Sequence, residues 1–112
     1  MKKIKMKLSY SDASIVQAML EEIIDRGYTL EDTNSIIRFG LCTEMLIRFM
    51  QKTMFKYEGE KSISISIPQA ALLHQCMGGY IKSCDELQRT GSYNYIFFLE
   101  LRASIDQKLK SL

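Results

Sequence analysis

Ser62-Ile63-Ser64-Ile65-Ser66-Ile67-Pro68 alternates serine and isoleucine without a break. A period of two is the strand period, so the three isoleucines share one face and the three serines the other. Isoleucine is β-branched and favours a pleated surface over a helix. Pro68 ends the run, because it has no N–H for a ladder but suits the first turn of a helix. The stretch therefore predicts a strand over Ser62–Ile67 and a helix from Pro68.

The same grammar stands at the start of the chain. Lys3-Ile4-Lys5-Met6-Lys7-Leu8 also alternates, with Ile4, Met6 and Leu8 on one face and Lys3, Lys5 and Lys7 on the other. A helix-start signal follows, Ser9 or Ser11 and then Asp12. The chain thus reads as one unit used twice: strand, helix, glycine-marked turn, helix. The repeats cover residues 2–57 and 61–111 of a single domain spanning 1–112.

Between the strands, the spacing predicts a helix over Ser11–Asp25, with Ile15, Val16, Met19, Leu20, Ile23 and Ile24 as its buried stripe. Gly27 is placed just past its end. Thr29-Leu30-Glu31-Asp32 resembles a capping box. A long helix is expected from there to Tyr57, burying Ile36, Ile37, Leu41, Met45, Leu46, Phe49 and Met50, with Met54 as an extension. Glu58-Gly59-Glu60-Lys61 links the halves. The third helix is expected to run from Pro68 to Leu87 with Gly78-Gly79 inside it. Two such glycines cost about 2 kcal/mol against alanine, so close helix packing or a kink is their reason. Arg89-Thr90-Gly91-Ser92 reads as the second turn. A fourth helix follows from Tyr93, with Ile96, Phe97, Leu99, Leu101, Ile105 and Leu109 as its core.

These elements define an α+β, mostly helical fold in the order β-α-α-β-α-α: a two-stranded ribbon packed on four helices. At 112 residues the chain is long enough to bury a core without staples. Its 46% apolar and 25% charged residues are ordinary for a soluble protein. A net charge of +2 permits an anionic partner without demanding one. Cys42, Cys76 and Cys84 are odd in number and lack a CxxC pair, so they read as buried free thiols and not as a disulfide framework. His74 and Cys76, at i, i+2 on one helix, cannot converge on a metal or a substrate. No nucleophile–base set, phosphate loop or paired-acid motif is present, so neither an enzyme nor a cofactor or metal is expected. No signal peptide and no apolar run of membrane-spanning length is read, so a cytoplasmic protein without a membrane partner is expected.

The first half resembles the ribbon-helix-helix DNA-binding proteins. The resemblance covers about residues 2–50. It rests on the strand Ile4-Lys5-Met6-Lys7-Leu8-Ser9, the helix closed by Gly27, and Asn34-Ser35-Ile36-Ile37-Arg38-Phe39-Gly40-Leu41, which is similar to that family's second-helix opening. Ser62–Leu73 looks like the family's strand and following proline again. The resemblance implies antiparallel strands whose ribbon enters the major groove of double-stranded DNA. Its groove-reading residues would be Lys3, Lys5 and Lys7 on one strand and Ser62, Ser64 and Ser66 on the other. Thr33, Asn34 and Ser35 would offer helix N–H groups to a phosphate, as would Ser92 and Asn94. Transcription regulation, or an accessory role on mobile DNA, is the function it implies. With two strands in one chain, the protein is a pseudo-dimer or a dimer.

Two plainer readings stand beside this one. A lysine row on a strand is also a solvated surface that blunts edge-to-edge aggregation. The methionines and aromatics of Met45–Tyr57 exceed what one helix partner covers, which suits a helical protein–protein interaction module that homodimerises.

Overall fold

The computed structural model describes residues 2–27, 32–83 and 92–112. Their elements, in order, are β1 (Lys3–Ser9), α1 (Tyr10–Gly27), α2 (Thr33–Lys52), β2 (Glu60–Ser66), α3 (Ile67–Ser83) and α4 (Tyr93–Lys110). β1 and β2 form a two-stranded antiparallel sheet. The expected α+β, mostly helical chain in the order β-α-α-β-α-α is the one observed. Backbone contacts divide it into two compact units, one of Lys5–Ile65 and one of residues 1–4 with Ser66–Leu112.

Each strand passes into its helix without a loop, through a serine. Ser9 Oγ accepts from the N–H of Asp12 at 3.1 Å, which caps α1. Ser66 Oγ accepts from the N–H of Gln69 at 3.2 Å, and the Ser66 N–H donates to Gln69 Oε1 at 2.9 Å. This reciprocal pair is a capping box, with glutamine at the third helical position. It starts α3 at Ile67, one residue before the expected Pro68, and takes Ile67 out of the strand. Ser9 and Ser66 are 57 residues apart, and the same shift carries buried Met6, Leu8, Ala13, Val16 and Leu20 onto buried Ile63, Ile65, Ala70, Leu73 and Met77. The burial pattern around the two strand–helix joints thus has the same spacing.

In the Lys5–Ile65 unit, α1 packs on α2. Its core contains Met6, Leu8, Val16, Leu20, Met45, Phe49, Ile63 and Ile65. Burying each such side chain contributes roughly 1.5–3 kcal/mol. α2 departs from expectation in two ways. Its buried residues are Cys42, Met45 and Phe49, whereas Ile36, Ile37, Met50 and Met54 are exposed. The helix carries apolar residues on two sides, and only one of those sides meets α1. It also stops at Lys52, not Tyr57. The N–H and hydroxyl of Thr53 both bond to the carbonyl of Phe49, at 2.9 and 3.0 Å. The chain then turns back, so that the Tyr57 hydroxyl donates to the Leu8 carbonyl at 3.0 Å. Gly59, at φ +72°, makes the left-handed turn into β2.

In the other unit, α3 packs on α4. Leu72, Leu73, Met77, Phe97, Phe98, Leu101 and Ile105 are among its buried side chains, and Tyr80 meets Phe98 edge-on at 4.8 Å. Ile96 and Leu99, expected in the core, are exposed. α1 runs through Gly27, which is its last residue and not the one past its end. Of the expected capping box at 29–32 and the expected turn at 89–92, only Asp32 and Ser92 are described, as the N-caps of α2 and α4; the rest of both, and the expected end of the third helix at Cys84–Leu87, lie outside the described residues. Cys42 is buried and Cys76 half-buried, and neither is in a disulfide.

Candidate nucleic-acid interface

The site begins with strand parity. Along β1, Ile4, Met6 and Leu8 are buried, and Lys3, Lys5 and Lys7 between them are exposed. Along β2, Ile63 and Ile65 are buried. Ser62 is exposed on the opposite side, Ser64 is half-buried, and Glu60 begins the same outward row. The ribbon therefore presents lysines from one strand and a glutamate followed by serines from the other.

Ser66 belongs to that row by parity, but its hydroxyl and its N–H are both engaged in the cap of α3. A serine already committed to Gln69 is a structural residue before it is a reader. Side chains from the flanks also engage the strands. Arg48 Nη1 donates to the carbonyl of Ser64 at 2.8 Å, and Tyr57 does so to Leu8. Strand carbonyls held in this way are less available to a further strand. Tyr57 is itself held by an edge-on contact with Tyr10 at 5.7 Å, and Lys61 Nζ lies 4.7 Å from its ring centre. Burial, and then the carboxylate of Asp12, raises its pKa above the usual tyrosine value, so the hydroxyl stays protonated and remains a donor.

At the start of α2, Thr33 and Asn34 are exposed and Ser35 is half-buried. Asp32 is the N-cap. Its Oδ1 accepts from the Ser35 N–H at 2.8 Å and its Oδ2 from the Ser35 hydroxyl at 3.2 Å. A carboxylate thus already holds one of the three N–H groups that were expected to meet a phosphate, and its charge opposes a second anion there. α4 begins differently, with the neutral Ser92 hydroxyl accepting from the Tyr95 N–H at 3.3 Å and Asn94 exposed.

Sequence reasoning placed Asp32 at the end of a capping box and not at the N-cap of α2, and it missed the contacts of Arg48, Tyr57 and Lys61. Asp32 had a signal, since aspartate directly before a helical run is a preferred cap. Arg48 and Tyr57 reach strand carbonyls 16 and 49 residues away, which no local pattern reports, whereas Lys61 lies only four residues from the Tyr57 ring that it covers.

Elsewhere, Asp106 accepts from Lys110 Nζ at 2.8 Å and lies 3.5 Å from His74 Nε2. The hydrogen bond from Lys110 holds the Asp106 carboxyl below its ordinary pKa. A groove beside α2 is lined by Gln17, Ile47, Met50, Gln51, Thr53 and Met54. Among the described residues no helix is long and apolar enough to cross a membrane. No family model, curated protein or solved structure matches the chain.

Proposed function

We propose that this chain is a non-catalytic DNA-binding protein of ribbon-helix-helix type, acting in the cytoplasm as a regulator or as an accessory factor on mobile DNA. The observation that carries the reading is the ribbon itself: its apolar face is buried, and its other face sets out Lys3, Lys5 and Lys7 in a row. A two-stranded ribbon fits the width of the major groove, and outward side chains at strand spacing reach base edges there. Lysine donates to guanine O6 and N7, and serine can serve any base. Ser62 and Ser64 remain in the outward row, while Ser66 contributes mainly to the cap. The anionic cap at Asp32 argues against a phosphate anchor on Thr33, Asn34 and Ser35.

The test is binding to random duplex DNA at two salt concentrations. With about five phosphate contacts, log K falls with log salt at a slope of roughly −4 to −5. Replacing Lys3, Lys5 and Lys7 together by Gln is expected to abolish binding and leave the melting temperature nearly unchanged, because the three side chains are exposed. Affinity that ignores salt, or a triple variant that binds as well as wild type, overturns the reading.

A second reading has its own observation. Ile36, Ile37, Ile47, Met50 and Met54 are all exposed on or just beyond α2. That apolar surface supports a module that homodimerises through α2, with the lysines as solvation only.

A further inference from the structure

The two outward rows of the ribbon are chemically unlike. Those of β1 are Lys3, Lys5 and Lys7; those of β2 are Glu60, Ser62 and Ser64. A two-fold symmetric protein reads a palindrome, since each half of its site meets the same side chains. Here both strands come from one chain, and no rotation exchanges lysines for glutamate and serines. We infer that a single copy of this chain reads a duplex site without two-fold symmetry, in which guanines are gathered on the side that faces β1. This rests on the DNA-binding reading above and adds its specificity.

The chemistry of the rows sets the preference. A lysine ammonium has three donors and no acceptor. In the major groove guanine offers two adjacent acceptors, N7 and O6, whereas adenine pairs its N7 with a donor. The β1 row therefore favours guanine. A serine hydroxyl donates and accepts, so Ser62 and Ser64 discriminate little, whereas the Glu60 carboxylate only accepts and suits the N4 amino group of cytosine. Spacing supports a short site. Alternate residues of a strand lie ~6.8 Å apart, close to two base-pair steps of ~3.4 Å. The three lysines then address positions about two steps apart, within roughly five base pairs.

A second asymmetry stands on separate residues. α2 is capped by the carboxylate of Asp32 and α4 by the neutral hydroxyl of Ser92. The two corresponding helix starts thus differ in charge.

The experiment is selection of bound sequences from a randomised duplex pool, followed by native mass spectrometry on the selected duplex. The expected result is one non-palindromic, guanine-containing motif bound by one chain. Replacing one of its guanines should weaken binding about tenfold or more. Two variants, checked for folding by circular dichroism, test the assignment of rows. K5S/K7S should lose the guanine preference. S62K/S64K should add guanines on the opposite side and bring the motif toward two-fold symmetry. A palindromic motif, two chains per site, salt-sensitive binding without sequence preference, or variants that leave the motif unchanged would each overturn the inference while leaving DNA binding intact. Absence of salt-sensitive binding to any pool overturns the DNA-binding reading, and this inference with it.

Discussion

Gly78 and Gly79 are neighbours in α3, yet a side chain at each would meet a different surrounding. A Cβ on Gly78 would lie 3.0–3.2 Å from the guanidinium of Arg102, which donates from Nε to the carbonyl of His74 at 3.3 Å. A Cβ on Gly79 would meet nothing within 4 Å. Close packing, one of the two reasons open at the sequence level, therefore applies to Gly78 alone. Gly79→Ala is expected to stabilise the protein by about 0.8–1 kcal/mol, the ordinary difference between the residues in a helix. Gly78→Ala should gain less or lose stability, because Arg102 must move. Thermal or urea unfolding of the two variants side by side decides this; equal gains would mean that the guanidinium does not occupy that space. The pair of glycines was legible in the sequence as a cost needing a reason. The guanidinium that supplies one of the reasons lies more than twenty residues away and was not.

At the scale of elements, the joint between β2 and α3 does two jobs that the sequence assigned to separate residues. Ser66 ends the alternating strand and starts the helix, with Gln69 closing the box from the other side. Ser66→Ala is expected to cost about 1 kcal/mol in unfolding free energy as a lost cap. Its effect on DNA affinity should be small, whereas Ser62→Ala should leave stability unchanged. If Ser66→Ala instead weakens DNA binding without lowering stability, the serine is a reader and the cap is incidental. Both strands were legible because alternation is local and survives any packing. Their exact ends were not. Whether a terminal serine continues a ladder or turns to cap a helix depends on hydrogen-bond partners three residues on.

Across the molecule, the burial of α2 separates the two functional readings. Ile47 is 50% exposed and Met50 47% exposed, on a helix whose other side is buried through Met45 and Phe49. Sedimentation equilibrium tests whether a second copy covers that surface. In the homodimer reading, the wild-type chain self-associates and I47E/M50E is monomeric with its thermal stability retained, since neither side chain is in the core. A wild-type chain that stays monomeric at every concentration removes that reading. The single-copy reading of an asymmetric site does not require it.

What the sequence by itself determined is the content and order of the elements and the exposure of the lysine row. Periods of 2 and 3.6 belong to the backbone, and a charged residue between buried ones on a strand has only one way to point. The tertiary structure alone decided which apolar side of α2 is core, where that helix stops, and which serine is committed to a cap. It also placed Asp32 at the helix start assigned to a phosphate. Each of these is a choice between partners of similar chemistry, and the choice is made by what lies across the contact, not by what lies next in the chain.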